Sequence, residues 1–349
     1  FRPRLSPQAL AGDDYIKDLA EAASARGAEV MPWVKALNAA FDGDVQEACV
    51  RTFRGEPVPT WLCPNNPWAE EYVTRLILGM LDRYPSRAIL VDRLRYPDWS
   101  GATVSVERML TCFCPHCEQA MEEAGIDVDR LKRLFEEFSK EPLTFMDWLK
   151  YEPTSLLIQS WLRFRQRSIS SLAEKVWNTV RRWQAQKEAK TAFWLNLWPP
   201  SFAAFLGQDY ASLGRVCEGA KHFPYHRLGG GADLAAFILA LAGSDSAVRQ
   251  EEVFRELRGL LKLGDISFAE YRQDGLPLSF VRDQTRWGKD LFHQNKIFAG
   301  IQIWDIPVEE IRATVEAALQ GGADGLFFYC YGWATLAALD AVGEIVRGS

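Results

Sequence analysis

The sequence lacks the marks of several large protein classes. No stretch approaches the ~20 apolar residues that a membrane-spanning helix needs. No run or stripe of basic residues appears: 40 basic and 46 acidic side chains are interspersed and leave a net charge of −6. That balance argues against a nucleic-acid partner. There is no G-x-G-x-x-G and no Walker loop, so a nucleotide-binding sheet has no support. G-x-S-x-G, H-E-x-x-H and any spacing that reads as Ser–His–Asp are absent too, which removes the familiar serine-hydrolase and zincin signatures. The chain opens at Phe1 without Met or a signal-peptide pattern. Residues ahead of Phe1 are expected to be missing, and export stays undecided.

Two residue types stand out. Seven cysteines are an odd number in a chain too long to need a disulfide scaffold, and lean towards a reducing compartment. Thirteen tryptophans are many for a residue that is rarely fully buried, so some are expected to line a groove.

Short apolar runs alternate with amphipathic helices along the chain. Strands are expected at 28–34, 88–92, 191–198, 221–225, 266–271, 296–304 and 326–331. A helix follows each, the clearest opening at Asn66-Pro67 as N-cap and first helical residue. Another long one runs from Thr154 to about Lys187, with Trp161, Trp177 and Trp183 expected in the core. Gly229–Gly231 reads as a turn. Such alternation predicts a parallel sheet with right-handed crossovers. At 349 residues, one (β/α)₈ barrel of about 250 residues plus insertions fits. The reading is a single barrel domain over 1–349, its first strand lost or rearranged, with an insertion over 98–153. An open doubly wound sheet is the rival.

Barrel enzymes work at the C-terminal ends of their strands. The residues there are, in order, Trp33 and Lys35; Asp92, Arg93 and Arg95; Asn196 and Trp198; Tyr225, His226 and Arg227; Glu270 and Arg272; Gln302, Trp304 and Asp305; and Tyr329, Tyr331 and Trp333. Flat rings pack on pyranose faces, and carboxylates and amides hydrogen-bond hydroxyls. Asp92 leads, because Ile89-Leu90-Val91 delivers it rigidly to the rim. It reads as an acid, base or nucleophile, or else as half of a structural Asp–Arg bridge. Glycoside hydrolysis uses two carboxyl groups. Glu270 and Asp305 are the partner candidates, with Asp209 more plausible as a helix cap. Trp33, Trp198, Trp304 and Trp333 are candidate sugar platforms. Lys35, Arg93, Arg95, Asn196, Tyr225, His226, Gln302 and Tyr329 complete the expected substrate-binding set.

Cys112-x-Cys114-x-x-Cys117 is the most distinctive local motif. Its three thiols and the imidazole of His116 between them suit a structural zinc, with Cys63 a candidate fourth thiolate from a neighbouring loop. Cysteines bracing a loop are the alternative.

The phrase Cys63-Pro64-Asn65-Asn66-Pro67, then a helix, then Ile89–Asp92 followed by Arg95-Tyr96-Pro97, resembles bacterial (β/α)₈-barrel proteins classed as glycoside hydrolases, many of them uncharacterised. The cysteine cluster and Pro199-Pro200-Ser201 with Gly207–Tyr210 are similar to stretches seen there. The resemblance implies hydrolysis of a glycosidic bond, a saccharide substrate and no required cofactor, and it matches Asp92 to the strand-end acid. It supplies no second catalytic residue. A barrel that binds carbohydrate without cleaving it, and a metal-assisted isomerase or lyase, are the alternatives.

Overall fold

A computed structural model of the chain describes residues 2–3, 12, 14–99, 104–141, 152–229, 233–243, 245–292 and 295–348. Gly230 and Gly231 of the expected turn, and parts of the expected insertion, lie outside these residues.

The centre is a sheet of six parallel strands: β1 (Trp33–Lys35), β2 (Ala88–Asp92), β3 (Ala192–Leu197), β4 (Gly219–His222), β5 (Lys296–Gln302) and β6 (Gly325–Tyr329), hydrogen-bonded in that order. In-register pairs such as Val34↔Val91, Val91↔Leu195, Leu195↔Ala220 and Ala220↔Ile297 run across it. Helices cover the strands, so β2 reads as the uninterrupted run AILV, with Ile89, Leu90 and Val91 almost wholly buried. The sheet curls until its outermost strands meet through side chains: the Trp33 and Tyr329 rings lie 5.4 Å apart between centroids. The fold is an α/β barrel of the (β/α)₈ type, with six parallel strands among the described residues.

Helix α1 (Tyr15–Ser24) precedes β1, and α2 (Pro67–Arg83) precedes β2. As the sequence predicts, Asn66 caps α2, its Oδ1 accepting from the Trp68 amide at 2.9 Å, and Pro67 opens the first turn. Between β1 and α2, residues Cys49–Arg51 and Pro57–Leu62 form a small antiparallel ladder. Between β2 and β3 come α3 (Pro115–Glu123), α4 (Val128–Lys140) and the 36-residue α5 (Glu152–Lys187). A bridge from Thr52 to Thr111 ties this segment to the ladder. Trp161 and Trp183 of α5 are buried and Trp177 half-buried. No described helix is long and apolar enough to cross a membrane.

The largest correction falls on 266–271. Those residues are not a strand. Phe268–Asp274 is helix α8, following α6 (Ala235–Ala242) and α7 (Ala247–Leu261). Ser267 and Glu270 form a reciprocal capping box: the Glu270 carboxylate accepts from the Ser267 amide at 2.7 Å, and the Ser267 hydroxyl oxygen accepts from the Glu270 amide at 3.2 Å. That pattern satisfies two orphan amide donors at a helix start and outweighs the strand propensity of a short apolar run. β4 therefore pairs directly with β5. Other boundaries move by less: the strand expected over 28–34 is confined to Trp33–Lys35, and the one expected over 221–225 runs from Gly219 to His222. After α9 (Leu278–Leu291) and β5, α10 (Val308–Gln320) and α11 (Leu336–Gly348) complete the chain.

Candidate functional site

The C-terminal ends of the strands surround a cavity of about 390 Å³. Of the residues singled out from the sequence, Trp33, Asp92, Arg93, Arg95, Asn196, Trp198, Tyr225, Trp304, Tyr329 and Trp333 line it. They come from all six strands of the sheet and the loops that follow them.

Asp92, the last residue of β2, is 6 % exposed. Its Oδ1 accepts three hydrogen bonds: from the Arg93 amide at 2.7 Å, Asn196 Nδ2 at 2.8 Å and Arg95 NH1 at 3.0 Å. Arg93 takes a left-handed backbone conformation, φ 58°, which costs a residue with a Cβ about 1–2 kcal/mol. Asp98 holds both arginines from behind: its Oδ2 accepts from Arg93 NH1 at 2.9 Å and from Arg95 Nε at 2.9 Å. Burial alone would raise the pKa of Asp92. The Arg95 and Arg93 charges and the Asn196 hydrogen bond outweigh it and pull the carboxyl down to about 2. Asp92 is therefore an anion at any physiological pH, with Oδ1 saturated. The buried Asn196 Oδ1 finds no acceptor role among the described residues.

The opposite wall is aromatic and surrounds one amine. Lys221 projects from β4 and is 1 % exposed. Its Nζ sits 4.5 Å from the centroids of both Trp33 and Tyr329 and donates to the Tyr225 hydroxyl at 3.1 Å. Tyr225 stacks on Tyr329 at 5.5 Å, and Trp304 packs edge-on against both. Gly300 of β5 makes the room: a Cβ there would lie 3.1 Å from Lys221 Cε and from the Tyr225 hydroxyl. Burial pulls the lysine down to about 7, against the attraction of Asp92. Such an amine changes charge near neutrality.

Sequence reasoning missed Lys221, Trp99, Phe223 and Asp233, all of which line the cavity. Lys221 lies inside the four-residue strand Gly219-Ala220-Lys221-His222, every position of which is buried. Trp99 lies just past the Arg95-Tyr96-Pro97 phrase and meets Trp198 edge-on at 4.8 Å. Asp233 is capped in by neighbours: its Oδ1 accepts from the Ala235 amide at 2.8 Å and the Tyr271 hydroxyl at 3.1 Å, and its Oδ2 from the Gly229 amide at 3.0 Å.

Other expected site residues are not brought to the cavity. Glu270 is held in the capping box on the outside of α8. Asp305 is exposed in the loop after β5 and does not line the cavity. Lys35 is exposed and does not line the cavity. His226 is buried against Glu310, which also holds Arg227. Gln302 is buried, its Nε2 donating to the Trp304 carbonyl at 3.0 Å. Asp209 caps a helical turn through the Ser212 amide.

Away from the cavity, the thiols of Cys63, Cys112, Cys114 and Cys117 lie within 4.8 Å of one another, all buried. Among the described residues this is the one group of three or more His, Cys, Asp or Glu side chains placed to share an ion. None of its members lines the cavity.

Neither a protein-family model nor a curated protein matches the sequence. Solved structures do match the fold. The catalytic domain of a beta-amylase from Paenibacillus polymyxa superposes with a TM-score of 0.56 at 10% identity, covering 96% of this chain and 85% of that one. A beta-galactosidase from the psychrophilic Marinomonas ef1 gives 0.54 at 11% identity, covering 96% of this chain and 52% of that one. At these identities the likeness is one of fold.

Proposed function

We propose that the chain is a glycoside hydrolase whose ionised carboxylate is Asp92. The observation that carries this reading is an anionic Asp92, fixed by Arg95, Arg93 and Asn196, facing a wall of tryptophan and tyrosine across a cavity wide enough for a sugar ring. The names of the two solved structures of like fold, an amylase and a galactosidase, support it. A carboxylate this acidic suits the nucleophile, or the charge that stabilises an oxocarbenium-like transition state, rather than the acid. The aromatic rings position the pyranose, and Asn196 Oδ1 accepts from one of its hydroxyls. The proton for the leaving oxygen comes from the far wall. Two groups there can carry one: Asp233, the second lining carboxylate, and Lys221, whose amine exchanges protons near pH 7. The reading needs no cofactor in the cavity.

The test is a panel of oligosaccharides and aryl glycosides with three variants. Asp92→Asn is expected to lower kcat by about 10²–10⁴-fold on every substrate cleaved by the parent chain. The acid is identified by leaving group: its removal, by Asp233→Asn or Lys221→Met, slows poor leaving groups and spares activated aryl glycosides. An unaltered rate in Asp92→Asn removes Asp92 from the mechanism.

A second reading, saccharide binding without cleavage, is favoured by one observation: neither Glu270 nor Asp305 reaches the cavity, and Asp233 is committed to three donors. It predicts measurable binding of oligosaccharides by calorimetry and no product from any of them.

A further inference from the structure

We propose that Cys63, Cys112, Cys114 and Cys117 bind one zinc ion as a four-thiolate site that clasps the segment between β2 and β3 onto the rim of the barrel. The distances suit that ion. Zinc–sulfur bonds of about 2.3 Å place tetrahedral ligand atoms about 3.8 Å apart. Cys63 Sγ lies 3.5 Å from both Cys117 Sγ and Cys114 Sγ, and all four sulfurs fall within 4.8 Å of one another. A sulfur–sulfur bond is about 2.05 Å long, so at 3.5 Å these are not disulfides, and all four cysteines are free. Four thiols turned on one point are an improbable way to fill a core.

The surroundings are built for the negative charge that a zinc tetrathiolate carries. The Arg51 amide donates to Cys112 Sγ at 3.3 Å and Asn65 Nδ2 to Cys117 Sγ at 3.2 Å. Such N–H donors orient thiolate ligands and disperse their charge. Cys114 is the N-cap of α3, where the helix dipole favours an anion. Independently, Arg165 of α5 is wholly unexposed, and its three guanidinium nitrogens have no hydrogen-bond acceptor among the described residues. It is sandwiched between the rings of Tyr96 and Trp161, at 4.3 and 4.5 Å, within electrostatic reach of Cys112 and Cys117. Burying an arginine with no anion is costly, and a doubly negative metal centre beside it supplies the missing charge.

The site would join distant parts of the chain. Cys63 follows the strand 57–62, and the other three ligands lie in the segment after β2. Trp61, two residues before Cys63, donates from Nε1 to the Arg95 carbonyl at 2.7 Å. The ion would therefore brace the loop that carries the Asp92 clamp without touching the cavity.

The experiment is elemental analysis of the full chain purified under reducing conditions, with Cys114→Ser and Cys117→Ser alongside. One zinc per chain, lost in both variants, is expected. Should the variants fail to fold, the parent chain still decides the matter by cobalt exchange. One equivalent of Co(II) should give intense tetrahedral d–d bands and thiolate-to-cobalt charge transfer, bleached by added zinc. Zinc retained in both variants, iron in place of zinc, or a folded parent chain that takes up neither zinc nor cobalt would each overturn the proposal.

Discussion

The two walls of the cavity are made by different physics. The ends of β2 and β3 carry charge, and their carboxylates are held by directional bonds: Asp92 Oδ1 takes three donors, and Asp98 Oδ2 grips both Arg93 and Arg95. The ends of β4, β5 and β6, with Trp33 of β1, carry rings, and a single buried amine sits among them. The charged wall is fixed by directional bonds in low dielectric, where each bond is strong and each loss expensive. The aromatic wall is fixed by ring packing, which tolerates small shifts and offers broad apolar faces. On the proposed reading, chemistry belongs to the first wall and substrate placement to the second.

That assignment breaks most readily at Arg95. Its side chain is 3 % exposed and bonds both Asp92 and Asp98. Arg95→Leu leaves two buried carboxylates with Arg93 as their remaining cation. Removing one partner of a buried pair costs about 3–5 kcal/mol. Urea denaturation should show a loss of that order. A loss below about 1 kcal/mol would mean that water reaches the pair and that the wall is not rigid.

The charged wall was the more legible of the two. Asp92 and its arginines follow an apolar run that can only be a buried strand, so their place at the rim follows from the pleat. Asn196 and Trp198 were visible for the same reason. The aromatic wall was legible only in outline: its tryptophans could be placed, but Lys221 looked like the ordinary start of a strand. Nothing local reveals that Gly300, on the next strand, leaves space for its stem. Glu270 failed differently. Its four-residue phrase Ser267–Glu270 fits both a strand end and a capping box, and only the box satisfies its backbone donors. Asp233 was hidden because its loop, not a strand, brings it to the cavity. The cysteine motif was readable as a triad, while the convergence of Cys63 depends on the ladder's position in space.

Lys221 sharpens the comparison through pH. Its amine is charged below about 7 and neutral above. If it donates to a substrate hydroxyl, the charged form contributes about 1.5–3 kcal/mol. KM should then rise roughly tenfold or more as pH climbs through 7, and Lys221→Met should show a high, flat KM. Stability moves the other way. Between about 7 and the unfolded value of 10.5 the unfolded chain holds a proton that the folded one lacks, so stability rises with pH across that window. Lys221→Met should lose this slope. A variant that keeps both dependences would clear the lysine of either role.

Asp92 gives the matching test on the charged wall. Its carboxyl lies near 2 in the fold against an ordinary 3.8. The stabilisation is complete above 3.8 and disappears as pH falls from there towards 2. The difference of nearly two units corresponds to about 2 kcal/mol. Between pH 3.8 and 2 the parent chain should lose about this much more stability than Asp92→Asn, and parallel curves would show that Asp92 is not held by its arginines.

The smallest effect tests the division of labour most directly. Trp33 is 40 % exposed, touches Tyr329 at 5.4 Å and presents its face to Lys221. Being half open, it contributes little to folding. If it is a platform for the sugar, Trp33→Ala removes a ring contact worth about 0.5–1.5 kcal/mol. That predicts a KM raised about 2- to 12-fold with kcat nearly unchanged, because a platform holds ground state and transition state alike. A fall in kcat as deep as that of Asp92→Asn would mean that the ring acts on the reacting bond, and the separation of a chemical wall from a binding wall would not stand.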